Sequence, residues 1–133
     1  MVDLGAGDGA LTVALTQSGC RVLAVELHPR RASELRERVD RGRVAVLELD
    51  LDAFRWPGHP FRVVANPPYA GINGLVRRLL AVRQLRSADL VVAEGAARGL
   101  LERHPARLEL GPHVPRHAFR HPPPGRARVL RIR

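Results

Sequence analysis

The chain contains no lysine; all 22 of its basic residues are arginine, a bias that a GC-rich genome produces by composition alone. It holds one cysteine, Cys20, which excludes an internal disulfide and makes a reducing, cytoplasmic setting the default expectation. No apolar run nears the roughly 20 residues that a membrane-spanning helix needs, so no membrane partner is expected. Met1-Val2-Asp3 places an acid where a secretory signal carries its basic region, which argues against export. What remains is a chain of 133 residues and 14.7 kDa with 45% apolar residues. That suffices for one domain with a modest core and is too apolar for wholesale disorder.

The 22 basic residues face 13 acidic ones, leaving a net charge of +9. Such a surface attracts polyanions, nucleic acid first among them. The excess is polarised: from Arg103 to Arg133 there are eight arginines and four histidines against one acid, Glu109. The first half is close to balanced, so the basic end reads as a docking surface. His104, His113, His117 and His121 include i,i+4 spacings, yet the prolines among them break any helix, and no metal site is expected.

Apolar runs alternate with helical patterns, as in βαβ units feeding a mostly parallel sheet with helices on both faces. Val2–Leu4 reads as the end of a first strand, followed by a glycine turn over Gly5–Gly9 and a helix over Ala10–Gln17 that Ser18-Gly19 breaks. Arg21–Glu26 is a second strand, and Pro29 opens a helix whose buried stripe is Ala32, Leu35 and Val39. Glu34 with Arg38, and Glu37 with Arg41, are expected as i,i+4 pairs on its wet side. Further strands are expected at Arg43–Leu49, Phe61–Ala65 and Leu90–Ala93, with helices near Gly74–Val82 and Glu94–Arg103. Ala106–Leu110 and Ala127–Ile132 read as short strands around a loop rich in proline and histidine. The expected organisation is a single domain over 1–133, with a cofactor half over about 1–65 and a target-facing half over about 66–133.

The turn Asp3-Leu4-Gly5-Ala6-Gly7-Asp8-Gly9 lies between a strand and a helix, where close glycines let backbone approach a ligand. Its spacing is not the dinucleotide G-x-G-x-x-G pattern. Asp3 and Asp8 would repel a pyrophosphate and welcome a cation. S-adenosylmethionine, with its ammonium and sulfonium, therefore suits the bend better than a nicotinamide dinucleotide. Glu26 ends the second strand 21 positions after Gly5, a distance at which an acid accepts both ribose hydroxyls, with Leu27 beside it. The third strand ends in Leu49-Asp50-Leu51-Asp52. There Asp50 can accept from an adenine amine while Leu51 packs on the ring, although either aspartate could instead cap a short turn.

Asn66-Pro67-Pro68-Tyr69 follows the fourth strand directly. A residue before proline is pushed extended, so Asn66 and Pro67 are both expected to be extended, with their acceptors turned into one space. An exocyclic adenine amine is a poor nucleophile because its lone pair is delocalised into the ring. Asn66 Oδ1 and the Pro67 carbonyl can grip its two N–H groups and favour a pyramidal nitrogen facing the methyl donor, so that Asn66 borders cofactor and target alike. Tyr69 offers a face for a splayed base. Positioning and electrostatics then supply the rate, without a strong general base.

Taken together, Asp3–Gly9, the strand ending at Glu26, the Asp50 segment and Asn66-Pro67-Pro68-Tyr69 resemble the ribosomal RNA adenine-N6 methyltransferases. That family includes the Erm-type erythromycin-resistance enzymes and the rRNA adenine dimethyltransferases. The resemblance continues through Val91–Arg98 and through Val114–Pro124, with Val129-Leu130 beyond. It implies a Rossmann-like class I S-adenosylmethionine-dependent fold in which Gly5, Gly7 and Gly9 line the cofactor, Glu26 binds its ribose and Asp50 its adenine amine. It also implies that Asn66 and Tyr69 hold the target base and that Phe119 closes on it from the other side. The Val114–Phe119 stretch, with Arg116, resembles the Erm-type branch more nearly, implying an adenine of large-subunit rRNA as substrate, macrolide-type resistance as outcome, and a monomer.

Three departures accompany the resemblance. The family's segment before the first strand, with its Gln-Asn-Phe-like motif, is missing, as is its C-terminal helical domain. The stretch between Leu101 and Val114 is short, so a late strand is expected to be trimmed or absent. Two other readings stay open: N-methylation of DNA adenine or of a protein glutamine, and a non-catalytic RNA-binding remnant of the fold.

Overall fold

The computed structural model describes residues 1–68 and 70–133. Among these, seven strands form one sheet in the order β3-β2-β1-β4-β5-β7-β6. The strands are β1 (Val2–Leu4), β2 (Val22–Glu26), β3 (Val44–Glu48), β4 (Phe61–Ala65), β5 (Leu85–Ala93), β6 (Leu108–Val114) and β7 (Ala127–Ile132). The first five run parallel, while β7 is antiparallel to both β5 and β6. The helices are α1 (Ala10–Gln17), α2 (Pro29–Arg38), α3 (Ile72–Leu80) and α4 (Glu94–Arg103).

Alternation along the strands divides the core between the two faces, as a parallel sheet requires. Val2, Leu4, Val25, Val63, Leu90 and Leu130 pack with Leu75, Val76 and Leu79 of α3 and Leu100 of α4. Val22, Ala24 and Val44 point the other way, to Leu35 of α2, with Leu15 of α1 packed against the same cluster. Helices thus cover both faces. The chain leaves β1 for β2 on one side and returns to β4 on the other, which makes the β1–β4 boundary the topological switch point where such sheets bind ligands. The carboxyl ends of β1 to β5 and the β6–β7 loop all lie along that one edge.

Several expectations need correction. β5 begins at Leu85, not Leu90, because pairing with β4 carries its polar first residues into the strand, and β7 joins on the other side from Ala88 onward. The late strand that the short 101–114 stretch put in doubt is present as β6, seven residues long. Glu34 pairs with Arg30 at 2.9 Å rather than with Arg38, whose guanidinium instead reaches the Asp8 carbonyl at 3.5 Å. Arg41 lies beyond the end of α2, so its pairing with Glu37 loses its helical basis, and Val39 is the half-buried cap residue.

Candidate cofactor and base site

The glycine turn is held against the neighbouring strand by two amides: Gly5 N–H and Ala6 N–H both donate to the Val25 carbonyl, at 2.8 and 3.0 Å. Gly5, Gly7 and Gly9 all take positive φ (71°, 59° and 86°), the region side chains avoid. They serve different ends. A Cβ on Gly5 would stand 3.8 Å from Pro68 Cδ and 3.9 Å from Pro67 Cα, so the bend and the double-proline corner are in contact across the β1–β4 boundary. Gly9 instead faces inward, where a Cβ would stand 2.3 Å from Leu35 Cδ1.

Asp3 is fully buried at the root of this turn. Thr12 Oγ1 donates to its Oδ2 at 2.6 Å, while Oδ1 has no donor among the described residues. Burial pushes its pKa up to about 6; the Thr12 hydrogen bonds oppose that rise and the charge of Glu26 adds to it. Asp8 is different. It lies at the surface, 3.4 Å from the Arg120 guanidinium of the β6–β7 loop. Of the two acids that bracket the bend, only Asp3 keeps an oxygen available to a buried cation.

Glu26 is buried at the tip of β2 and ties the turn together: its Oε2 accepts from Gly7 N–H at 2.7 Å and its Oε1 from His28 N–H at 2.8 Å. Each oxygen retains a lone pair for a hydroxyl donor. Leu27 beside it is 61% exposed, an unusual position for a large apolar side chain. At the tip of β3, Asp50 does cap the short 3₁₀ turn Leu51–Ala53, its Oδ1 accepting from Asp52 N–H at 2.8 Å. That settles which aspartate caps, and it leaves Asp50 Oδ2 without a partner among the described residues. Leu51 is half-buried against the larger core.

Beyond β4, Asn66 is exposed, Pro67 buried and Pro68 exposed. Tyr69, expected as the stacking aromatic, lies outside the described residues. Phe119 is half-buried in the β6–β7 loop, where Val114, Pro115, Phe119, Pro123 and Pro124 line an open groove of about 490 Å³ rimmed by Arg116 and Arg126. The loop's stem is fastened by Arg128, which donates to the Gly111 carbonyl at 2.8 Å and lies 3.6 Å from Glu94. A hydrogen bond from Arg98 holds the Glu94 carboxyl below its ordinary range. Thr12, Arg120 and the Arg78 contacts described below had no signal in the sequence, since each acts on a partner remote in the chain. Among the described residues, no cluster of three or more His, Cys, Asp or Glu side chains is gathered to hold a metal.

A sheet wound in this order, with its bend at the switch point and its acids on successive strand tips, is the class I methyltransferase architecture. Residues 1–111 match the ribosomal RNA adenine dimethylase family, and the chain belongs to it. It is 37% identical to the mycinamicin-resistance protein MyrB of Micromonospora griseorubida over 98 residues, covering 74% of this chain and 31% of that protein. It is 33% identical to ribosomal RNA small subunit methyltransferase A of Acidobacterium capsulatum over 98% of this chain and 54% of the relative. The fold superposes on the crystal structure of the 23S rRNA methyltransferase ErmE with a TM-score of 0.86 at 24% identity, covering 99% of this chain and 59% of ErmE. The chain therefore spans about a third to three fifths of the length of these relatives.

Proposed function

We propose that this domain binds S-adenosylmethionine along the tips of β1, β2 and β3 and serves methyl transfer to the N6 amine of an adenine in large-subunit ribosomal RNA. Macrolide-type resistance is the outcome, and a cytoplasmic monomer acting on the ribosome is the working form. The observation that supports this reading is the contact of Gly5 with Pro67 and Pro68, by which the glycine bend and the double-proline corner meet on adjacent strand tips.

The side chains fit that cofactor. Asp3 Oδ1 is a buried acceptor suited to an ammonium, and Glu26 has lone pairs to spare for ribose hydroxyls. Leu27 presents an uncovered apolar surface, and Asp50 Oδ2 is available to an adenine amine. When bound, the cofactor supplies a methyl group activated by its sulfonium. Asn66 Oδ1 and the Pro67 carbonyl accept the two N–H groups of the target and turn its lone pair out of the ring plane. Phe119 offers the base an aromatic face. The groove at Phe119, with Arg116 and Arg126 on its rim, suits RNA near the target, since aromatic faces take bases and guanidinium groups take phosphates. The relatives' names cover both ribosomal subunits; Arg116 of the Val114–Phe119 stretch and the MyrB match support the resistance branch.

The test uses radiolabelled S-adenosylmethionine with large- and small-subunit rRNA as separate substrates. Label is expected on adenine N6 of the large-subunit RNA. Asn66→Ala should cut transfer by about 100-fold or more, the loss seen when one oriented polar group is removed from a reacting centre, with cofactor affinity retained. Label on DNA or protein instead would reassign the substrate, and RNA binding without any transfer would make the domain a non-catalytic binder.

A further inference from the structure

The connection from β3 to β4 carries Asp50 and Leu51, yet its regular structure is one 3₁₀ turn, Leu51–Ala53. Arg78, on α3, reaches across to it. Its Nη1 donates to the Leu51 carbonyl at 2.6 Å and to Asp52 Oδ1 at 3.2 Å, and its Nη2 donates to the Phe54 carbonyl at 3.0 Å. The guanidinium carbon lies 5.3 Å from the Trp56 ring centre. Trp56 in turn stacks on Phe61, the first residue of β4, at 5.8 Å and meets Phe54 edge-on at 5.2 Å. One planar fork thus ties the two ends of the turn to each other and to the aromatic cluster under the sheet. A lysine, a point charge without that fork, cannot span both carbonyls.

We propose that Arg78 is a positioning residue for the adenine end of the cofactor: it fixes the Asp50–Leu51 corner and thereby sets recognition of the 6-amino group. This rests on the role given above to Asp50. The physical reason is that an unanchored surface connection samples many conformations, and each one away from the binding geometry weakens affinity. Arg78 need not touch the cofactor to exert this effect.

The test compares the parent chain with Arg78→Met, which keeps a long stem against Trp56, Arg78→Lys, which keeps the charge, and the exposed neighbour Arg77→Met as control. Calorimetry measures binding of S-adenosylhomocysteine and of S-inosylhomocysteine, in which a 6-oxo group replaces the amine. Arg78→Met and Arg78→Lys should weaken S-adenosylhomocysteine by about tenfold or more, the scale of a lost charged hydrogen bond. They should weaken the inosyl compound much less, so that the parent's preference for the amine collapses. Arg77→Met should match the parent. An unchanged preference overturns the proposal, whether both affinities stay parental or both fall in the same proportion with thermal stability, because either result leaves Arg78 with structural work alone. A parent chain that binds neither compound overturns the cofactor reading itself, and this proposal falls with it.

Discussion

A carboxylate with one bonded oxygen and one bare oxygen, sealed from solvent, is an expensive group to ionise, and Asp3 is such a group. Its pKa rises from 3.8 to about 6 through burial, whereas in the unfolded chain it titrates near the ordinary value. Below about pH 4 both states hold the proton. Between about pH 4 and 6 only the folded state holds it, so stability falls as pH rises through this window and the loss is complete above it. The loss is on the order of 3 kcal/mol. Asp3→Asn, which keeps an acceptor for Thr12, should flatten that fall and exceed the parent in stability near pH 7.5. It should also weaken S-adenosylmethionine, having lost the charge that faces the ammonium. Urea unfolding at several pH values checks the first effect and calorimetry the second; a parental pH slope in the variant would assign the titration elsewhere.

Elements meet closely where α1 starts. Gly9 is the left-handed cap of that helix, and the place where its Cβ would sit is occupied by Leu35 of α2. Gly9→Ala therefore combines a conformational cost of about 1–2 kcal/mol with an overpacking cost of about 1–3 kcal/mol. Gly71, the cap of α3, has nearly the same φ, 87° against 86°, but among the described residues nothing lies within 4 Å of its Cβ position. Gly71→Ala should show the conformational cost alone, so the difference between the two variants in denaturant unfolding isolates the α1–α2 contact. Equal losses would mean that Leu35 moves aside freely. The turn glycines thus divide between contact with the double-proline corner and helix packing, which their common spacing in the sequence does not reveal.

For the molecule as a whole, the basic C-terminal stretch is split between the two ends of the sheet, because β6 and β7 are antiparallel and only the loop joining them lies beside the carboxyl end of β5. Arg116, Arg120 and Arg126 lie on that loop, whereas Arg83 and Arg86 lie at the opposite end of β5. If the loop meets phosphates, replacing its three arginines by glutamine should reduce the slope of log affinity against log salt for rRNA by about 2–3. Arg83→Gln with Arg86→Gln should leave the slope near the parental value. Filter binding at several salt concentrations distinguishes the two, and equal effects would show that net charge, not the loop, governs association.

The sequence by itself determined the mostly parallel βαβ character of the sheet and which residues end its strands. The reason is that the glycine turn, the strand-terminal acids and the proline-restricted Asn66-Pro67-Pro68 corner act through local backbone geometry. Tertiary structure alone decided how those tips are held and which oxygens stay available. Thr12 meets Asp3 across 9 residues, Arg78 meets Leu51 across 27, and Arg120 meets Asp8 across 112. Pairing decided the extent of β5 as well, since its polar first residues become strand by pairing with β4, before β7 joins at Ala88. Contacts of this kind leave no periodic trace in the chain, because they depend on which segments the sheet lays side by side.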